Sequence, residues 1–363
     1  MVDLIPFVAK KGRGAVSNQT GRFEAQTRHR VDDGWELGIP NDITALRTTV
    51  TPEHPKTVIA KNTSPDIPFN KSLNPYRGCE HGCVYCFARP SHAYYGYSPG
   101  LDFESQLISK PDAAVVLERE LRHPKYKCET IQMGANTDPY QPIEKQHRIT
   151  RSVLEVFERF HHPFGMITKS DLILRDLDIL KPMAEKKLAS VAISITTLDR
   201  DLARKLEPRA PTPMKRLAAV RKLAEAGIPT TVMIAPIIPA LTDHELERII
   251  EAASLAGASS AVYILVRLPL EIEGLFEEWL ETHAPLKRDH VLSLMRQSHG
   301  GNVYRSRWKE RMIGSGPYAE MINKRYRLAI RKFGMADKRA VERGLDTTLF
   351  EPPPQPGDQL ALF

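Results

Sequence analysis

The stretch Ser72-Leu73-Asn74-Pro75-Tyr76-Arg77-Gly78-Cys79-Glu80-His81-Gly82-Cys83-Val84-Tyr85-Cys86 brings three cysteines into eight residues directly after a short apolar run. Ser72–Tyr76 reads as a strand, so the Cys-x3-Cys-x2-Cys spacing places three thiols on the loop at its C-terminal end. Four cysteines in 363 residues exclude a disulfide framework, and in a reducing compartment such clustering points to metal. Three thiolates on one tight loop can hold three irons of a 4Fe–4S cluster and leave the fourth open to a small molecule. Structural zinc, with His81 or His92 as fourth ligand, is the alternative. Such sites usually draw ligands from two separated loops, and no second Cys/His pair is evident.

Outward from this loop, short apolar runs alternate with amphipathic stretches from about residue 68 to 285. Strands are expected at Ser72–Tyr76, Thr130–Gly134, Phe164–Thr168, Ala189–Ile195, Thr230–Ile234 and Ala261–Val266. Helices are expected at Asp112–Arg122, Arg148–His161, Asp171–Lys186, Pro213–Ala226 and Asp243–Ala256. Thr242-Asp243 is a candidate cap for the last of these, and Gly227 with Pro229 stops the helix from Pro213. The alternation predicts parallel βαβ units, an α/β fold as an open sheet or partial barrel. Either form puts the active site at the C-terminal ends of the strands.

Four segments follow. Residues 1–67 lack periodicity and read as an N-terminal arm, 68–285 as the barrel, 286–345 as a basic α-helical extension and 346–363 as a flexible tail. The net charge is +7, yet Leu286–Arg343 alone holds 15 Lys/Arg against 5 Asp/Glu. That density favours a phosphate polyanion, against the plainer reading of a solvated basic face. In this segment Pro317–Phe333 sets Tyr318, Met321, Ile322, Tyr326, Ala329, Ile330 and Phe333 near one face, with Lys324, Arg325, Arg327, Arg331 and Lys332 over much of the rest. No run of about 18 apolar residues occurs, and the first residues lack the apolar core of a secretory signal. A soluble, cytoplasmic protein with no membrane partner is expected.

The cysteine triplet, with an aromatic residue before its last member and at the end of the first strand of a βα array, resembles the radical S-adenosylmethionine (SAM) superfamily. The resemblance implies a partial (β/α)6 TIM-like barrel, a 4Fe–4S cluster on Cys79, Cys83 and Cys86, and SAM chelated at the open iron. It implies one-electron cleavage of SAM to a 5′-deoxyadenosyl radical that abstracts hydrogen from the substrate, with a donor such as flavodoxin or ferredoxin supplying the electron. Tyr85 would pack on the adenine. The segments Gly134–Glu144, Thr168–Ser170, Ser194–Thr197 and Leu206–Pro211 resemble the spore-photoproduct-lyase-like branch. Tyr85–His92, Asp102–Glu104, Lys11–Ala15 and Asn18 to Phe23 resemble one bacterial subgroup of that branch, and the likeness covers nearly the whole chain. On it, Asn136, Thr137 and Asp138 offer acceptors to the methionyl ammonium. Lys169, with Ser170 beside it, offers a charge to the carboxylate. Ser194 and Thr196 offer hydroxyls, and Arg209 reaches the same pocket. The plainer reading makes all of these strand-end and turn residues that satisfy loop backbone.

One position departs from that branch. Spore photoproduct lyase carries a hydrogen-donor cysteine where this chain has Asn136. Cys128 falls at the start of the second strand, at the far end of the barrel, and reads as a small core residue. The catalytic hydrogen donor is therefore open, with Tyr94, Tyr95, Tyr97 and Asn136 as candidates.

After the Pro-rich run Glu351–Asp358, the chain closes on Gln359-Leu360-Ala361-Leu362-Phe363. This resembles the bacterial sliding-clamp binding motif, in which Leu360, Leu362 and Phe363 would fill an apolar pocket and Gln359 would hydrogen-bond. The alternative is that these side chains dock back and close the barrel bottom. Together the features suggest a radical SAM enzyme for DNA repair or DNA modification, recruited by the clamp. A radical SAM enzyme acting on RNA, protein or a small molecule is the alternative within that chemistry. A non-enzymatic, metal-stabilised nucleic-acid-binding clamp accessory is the alternative outside it.

Overall fold

A computed structural model describes residues 9–24, 46–337 and 344–354 of the chain. Six strands lie parallel in chain order: β1 (Lys71–Leu73), β2 (Ile131–Met133), β3 (Phe164–Thr168), β4 (Ala189–Ser194), β5 (Thr230–Ile237) and β6 (Ser260–Leu265). The register runs Met133 to Met166 to Val191 to Thr230, with Thr231 opposite Ser260. Helices α1 (Ala113–Leu121), α2 (Ile149–Arg159), α3 (Leu177–Glu185), α4 (Pro213–Glu225) and α5 (Leu246–Leu255) fill the five crossovers. This is the α/β arrangement expected of a partial (β/α)6 barrel. Ala60–Lys61 pairs antiparallel with β1, and Ala336–Asp337 pairs parallel with β6, so each edge of the sheet is a strand of only two residues.

The apolar pattern explains the layers. In α2, Ile149, Val153, Leu154, Val156 and Phe157 recur at helical spacing and are buried against Phe164 and Met166 of β3. Gly227 ends the α4 segment in the left-handed conformation (φ 76°). Three local expectations change. β1 ends at Leu73 rather than Tyr76, because Pro75 has no N–H for the ladder. The third and fifth helices each open on a 3₁₀ turn, Asp171–Asp176 and Asp243–Glu245. Thr242 makes no cap, since its hydroxyl accepts from the Ile238 N–H at 2.9 Å.

A second, three-stranded sheet was not legible in the sequence. Gln106–Ser109 forms its centre, parallel to Thr49–Pro52 and antiparallel to Tyr76–Arg77. The arm thus carries regular elements, and this sheet clamps both ends of the loop that holds the cysteines.

Helices α6 (Ile272–His283) and α7 (Arg288–Ser298) form one apolar unit with that loop. Phe276, Trp279, Leu280, Val291 and Met295 bury Val84 and Tyr85. The expected break at Pro285 therefore falls inside a packing unit. Helix α8 (Gly316–Lys332) turns Tyr318, Ile322, Tyr326, Ala329 and Ile330 inward. Met321 is exposed, not on the apolar face, and Arg325 pairs with Glu247 at 2.6 Å. Lys324, Arg327, Arg331 and Lys332 remain exposed. The expected flexible tail is partly packed: Phe350 sits against Tyr126, Phe160 and His162, and Glu351 N–H donates to the Phe160 carbonyl at 3.1 Å. Residues 346–354 thus close the end of the barrel where the strands begin. Gln359, Leu360, Leu362 and Phe363 lie outside the described residues.

Candidate active site

The cysteine loop is shaped by close backbone approaches. Gly78 has φ 70°, and a Cβ there would stand 2.7 Å from Leu107 Cδ2 and 2.8 Å from the Phe103 carbonyl oxygen. A Cβ on Gly14 of the arm would lie 1.8 Å from the Gly82 carbonyl oxygen, so the arm can cover the loop only as glycine. Cys79 and Cys83 are buried and Cys86 is partly so. Cys79 N–H donates to Phe103 at 2.9 Å, and Cys86 N–H to Cys83 at 3.2 Å. Burial pushes all three thiols up, Cys83 to about 12; binding a metal would release those protons.

Beneath the loop lies Arg89, fully buried. It donates to the carbonyls of Cys83 (2.9 Å), Pro99 (3.0 Å) and Gly100 (2.8 Å) and pairs with Glu104. Glu104 also accepts from the Gly14 and Ala15 N–H groups at 2.9 and 2.8 Å. One buried ion pair thus ties the loop, the helix Asp102–Ser105 and the arm together. Arg89 and Glu104 fall within segments that carry the family resemblance, but their pairing has no signature in the sequence. Spacing alone does not reveal which charges are buried.

A second charged group sits at the ends of β3 and β4. Glu207, fully enclosed, accepts from Arg216, the Tyr85 hydroxyl and Thr196 Oγ1 (2.7 Å). Lys169 Nζ lies 4.0 Å from Glu207 and 5.8 Å from the centre of the Tyr85 ring. Burial works to raise the Glu207 pKa, but Arg216 and Lys169 outweigh it and hold the carboxyl at about 2. Tyr85, Lys169 and Thr196 are therefore brought together, around an unanticipated centre. Ser194 adds its carbonyl, which accepts from Arg216 at 3.1 Å.

The motif after β2 is mostly spent on holding the barrel. Asp138 accepts from Thr168 Oγ1 (2.6 Å), the Tyr140 N–H (2.9 Å) and the Lys169 N–H (2.8 Å), and faces His81 Nδ1 at 3.3 Å. Four donors fill the capacity of one carboxylate, leaving none for an ammonium. Thr137 donates to the Tyr76 carbonyl at 2.7 Å, and Ser170 accepts from the Leu172 N–H as an N-cap. Tyr140 and Glu144, in the same motif, bond Asp176 and Tyr76. Only Asn136 is engaged through its backbone alone, donating to Asn74 Oδ1 at 3.0 Å.

Arg209 pairs with Glu80 of the cysteine loop at 3.0 Å, and its N–H donates to the His81 carbonyl at 3.3 Å. His81 is taken by Asp138, and His92 bonds the Gln106 carbonyl at 2.8 Å. Neither is placed as a zinc ligand. Among the described residues no three His, Cys, Asp or Glu converge on a single metal ion. The loop thiols do not form a one-ion cage, whereas a cluster brings its own irons and sulfides to span them. Tyr94 is 69% exposed against Phe23, Tyr95 lies under Arg77, and Tyr97 stacks on His92. Cys128 is only partly buried, beside Lys71, and is not a core residue.

Residues 73–253 match the Radical SAM superfamily. An uncharacterized protein of Mycobacterium tuberculosis (strain ATCC 25618 / H37Rv) is 34% identical over 74% of this chain and 76% of its own. A spore photoproduct lyase mutant has the same fold, with TM-score 0.57 and 17% identity over 80% of this chain and 81% of its own. Another, with bound AdoMet and dinucleoside spore photoproduct, gives 0.55 and 16% over 79% and 80%.

Proposed function

Because the chain belongs to the radical SAM superfamily, and is a radical SAM enzyme with a 4Fe–4S cluster and SAM as cofactors, we propose that it acts on DNA, in repair or modification. Cys79, Cys83 and Cys86 are the cluster ligands in this reading. The donor set fits: three soft thiols on one shielded loop, braced by Arg89. When bound, the cluster supplies the electron that breaks a C–S bond of SAM and so yields a hydrogen-abstracting carbon radical.

The chain's own residues do the remaining work. Glu207 fixes the Tyr85 hydroxyl and so the ring's orientation, while Arg216 neutralises Glu207. Lys169 presents its ammonium beside that ring for the SAM carboxylate. Asn136 and Ser194, at the strand ends, would offer polar groups to bound SAM, and Asp138 sets the Lys169 backbone. Val84 and Tyr85, packed on Trp279, keep water from the loop's inner side.

One observation carries the DNA reading. The segment 304–311 is basic and aromatic, with Arg305, Arg307, Lys309 and a half-exposed Trp308. It is joined to the end of β6 by a Leu265 N–H to Met312 carbonyl bond of 2.9 Å. Cations interleaved with a ring at the barrel mouth suit a nucleic-acid strand. The spore photoproduct lyase with bound dinucleoside photoproduct shares this fold, which supports the same substrate class. Thiol-mediated photoproduct reversal is not favoured, because Asn136 stands at the donor position and Cys128 lies at the opposite end. The pentapeptide Gln359–Phe363 then recruits the sliding clamp. The last described residues are held at the barrel bottom, where Arg122 donates to the Pro353 carbonyl at 2.7 Å.

The test is 5′-deoxyadenosine formation by reconstituted protein with dithionite, without DNA, with intact duplex and with ultraviolet-irradiated duplex. DNA-dependent stimulation is expected, and a rise specific to irradiated duplex would select repair. Equal cleavage in all three would move the substrate to RNA, protein or a small molecule.

A further inference from the structure

Arg267 stands two residues past the end of β6, partly buried. Its guanidinium carbon lies 4.2 Å from the centre of the Phe87 ring, and Phe87 follows Cys86. Among the described residues Arg267 has no hydrogen-bond or ion-pair partner, although Tyr304, Arg311, Asp66 and Cys86 are near enough to act on its charge. Asp66, the nearby carboxylate, is already committed. It holds Arg311 through both oxygens at 2.6 and 2.8 Å and the Lys309 N–H at 3.2 Å.

The contrast with the other enclosed arginines is informative. Arg89 and Arg216 each face a carboxylate, and Arg13 donates to the Glu104 and Leu46 carbonyls, so each of these buried guanidinium groups has polar partners. Arg267 has given up part of its hydration for a ring face alone, which does not use its five donors. The ring contact leaves the guanidinium N–H donors free for a planar or tetrahedral anion. Phe87 is itself 40% exposed, and Trp308, stacked by Arg311 at 4.4 Å, is 50% exposed. An accessible ring and an unpaired guanidinium therefore border the cysteine loop on the side of β6, and a second accessible ring is held by Arg311, which is near enough to act on the Arg267 charge.

We propose that Arg267 and Phe87 form the substrate handle of the barrel mouth, Arg267 taking a phosphodiester of a DNA strand and Phe87 stacking one of its bases beside the cysteine loop. This rests on the DNA reading above and assigns it residues. The phosphate fixes register, and the stacked base is held out of its helix, next to where the carbon radical is generated.

The experiment is fluorescence anisotropy with a labelled single-stranded oligothymidylate of about 20 nucleotides, on the anaerobically reconstituted full-length protein, across a salt series. Arg267→Gln should weaken binding about tenfold and make the log–log salt slope shallower by about 1. Arg267→Lys should restore the slope without restoring all the affinity. Phe87→Ala should weaken binding about fivefold at an unchanged slope. Iron content is measured for each variant; if Arg267→Gln fails to take up iron, Phe87→Ala decides, since its ring is exposed. Wild-type affinity and slope in both variants would overturn the handle while leaving the DNA reading standing. A wild-type protein that binds neither this oligonucleotide nor duplex DNA would overturn both.

Discussion

The two ends of the barrel are built from opposite materials. Where the strands begin, Phe157, Phe160, Phe164, His162 and Phe350 stack into an aromatic plug, with centroid separations of 5.1 to 6.5 Å. Where the strands end, the enclosed groups are charged: Arg89 with Glu104, and Glu207 with Arg216 and Lys169. Apolar packing needs no exact partner and tolerates repacking. Buried charges are costly unless every partner is present, so they are kept where position matters more than stability. The bottom of the barrel holds the fold together, and the top uses part of that stability to fix a loop and its ligands.

The comparison can be broken most sharply at Arg89. Arg89→Met leaves Glu104 buried without its cation and takes one of two donors from the Cys83 carbonyl. A loss of about 3–5 kcal/mol is expected, together with failure to take up iron. Denaturant unfolding and iron analysis measure both; full iron at wild-type stability would remove the bracing role. At the opposite end, Phe157→Ala should cost about 3 kcal/mol or more by opening a cavity. Its folded fraction should still bind iron like the wild type. Iron loss beyond the unfolded fraction would mean the two ends are not separable.

A pH series sharpens the same contrast. Burial holds the His162 imidazole down at about 3, between the Tyr126 hydroxyl (2.7 Å) and the Pro163 carbonyl (3.0 Å). Below its ordinary value of about 6.5 the unfolded chain takes up a proton that the folded chain refuses. The contribution is thus full above about 6.5 and is lost as pH falls toward 3. About 2 kcal/mol should disappear between pH 6.5 and 5, and His162→Phe should flatten that limb of the denaturation-midpoint profile. An unchanged profile would remove His162 from the account. Smallest of all on the fold is deletion of Gln359–Phe363. Stability should stay within about 0.5 kcal/mol, while affinity for purified sliding clamp is lost; unchanged clamp affinity would end the recruitment proposal.

The bottom of the barrel was largely legible in the sequence and the top only partly. Phe164–Thr168 was bounded to the residue, because alternating apolar runs report burial directly. The cysteine loop was legible through its spacing and its place after β1. The braces were not: Glu104, Glu207 and Arg216 meet their partners across gaps of 15, 11 and 9 residues, which no local pattern encodes. The same limit made Asp138 and Thr137 resemble free ligands, although the sheet consumes their hydrogen bonds. The small sheet escaped notice because its strands are short and come from three distant segments. Phe350 gives no sign in the sequence of its packing, because a lone aromatic before a Pro-rich run carries no periodicity.

The central claim is that the three loop cysteines hold the reactive cluster. Anaerobic reconstitution of wild type and Cys83→Ala, followed by iron analysis and 5′-deoxyadenosine measurement with SAM and dithionite, tests it most directly. The account predicts about four irons per wild-type chain and 5′-deoxyadenosine from it, with none from Cys83→Ala. Cleavage retained by Cys83→Ala, or a single zinc bound tightly in place of iron, would contradict it.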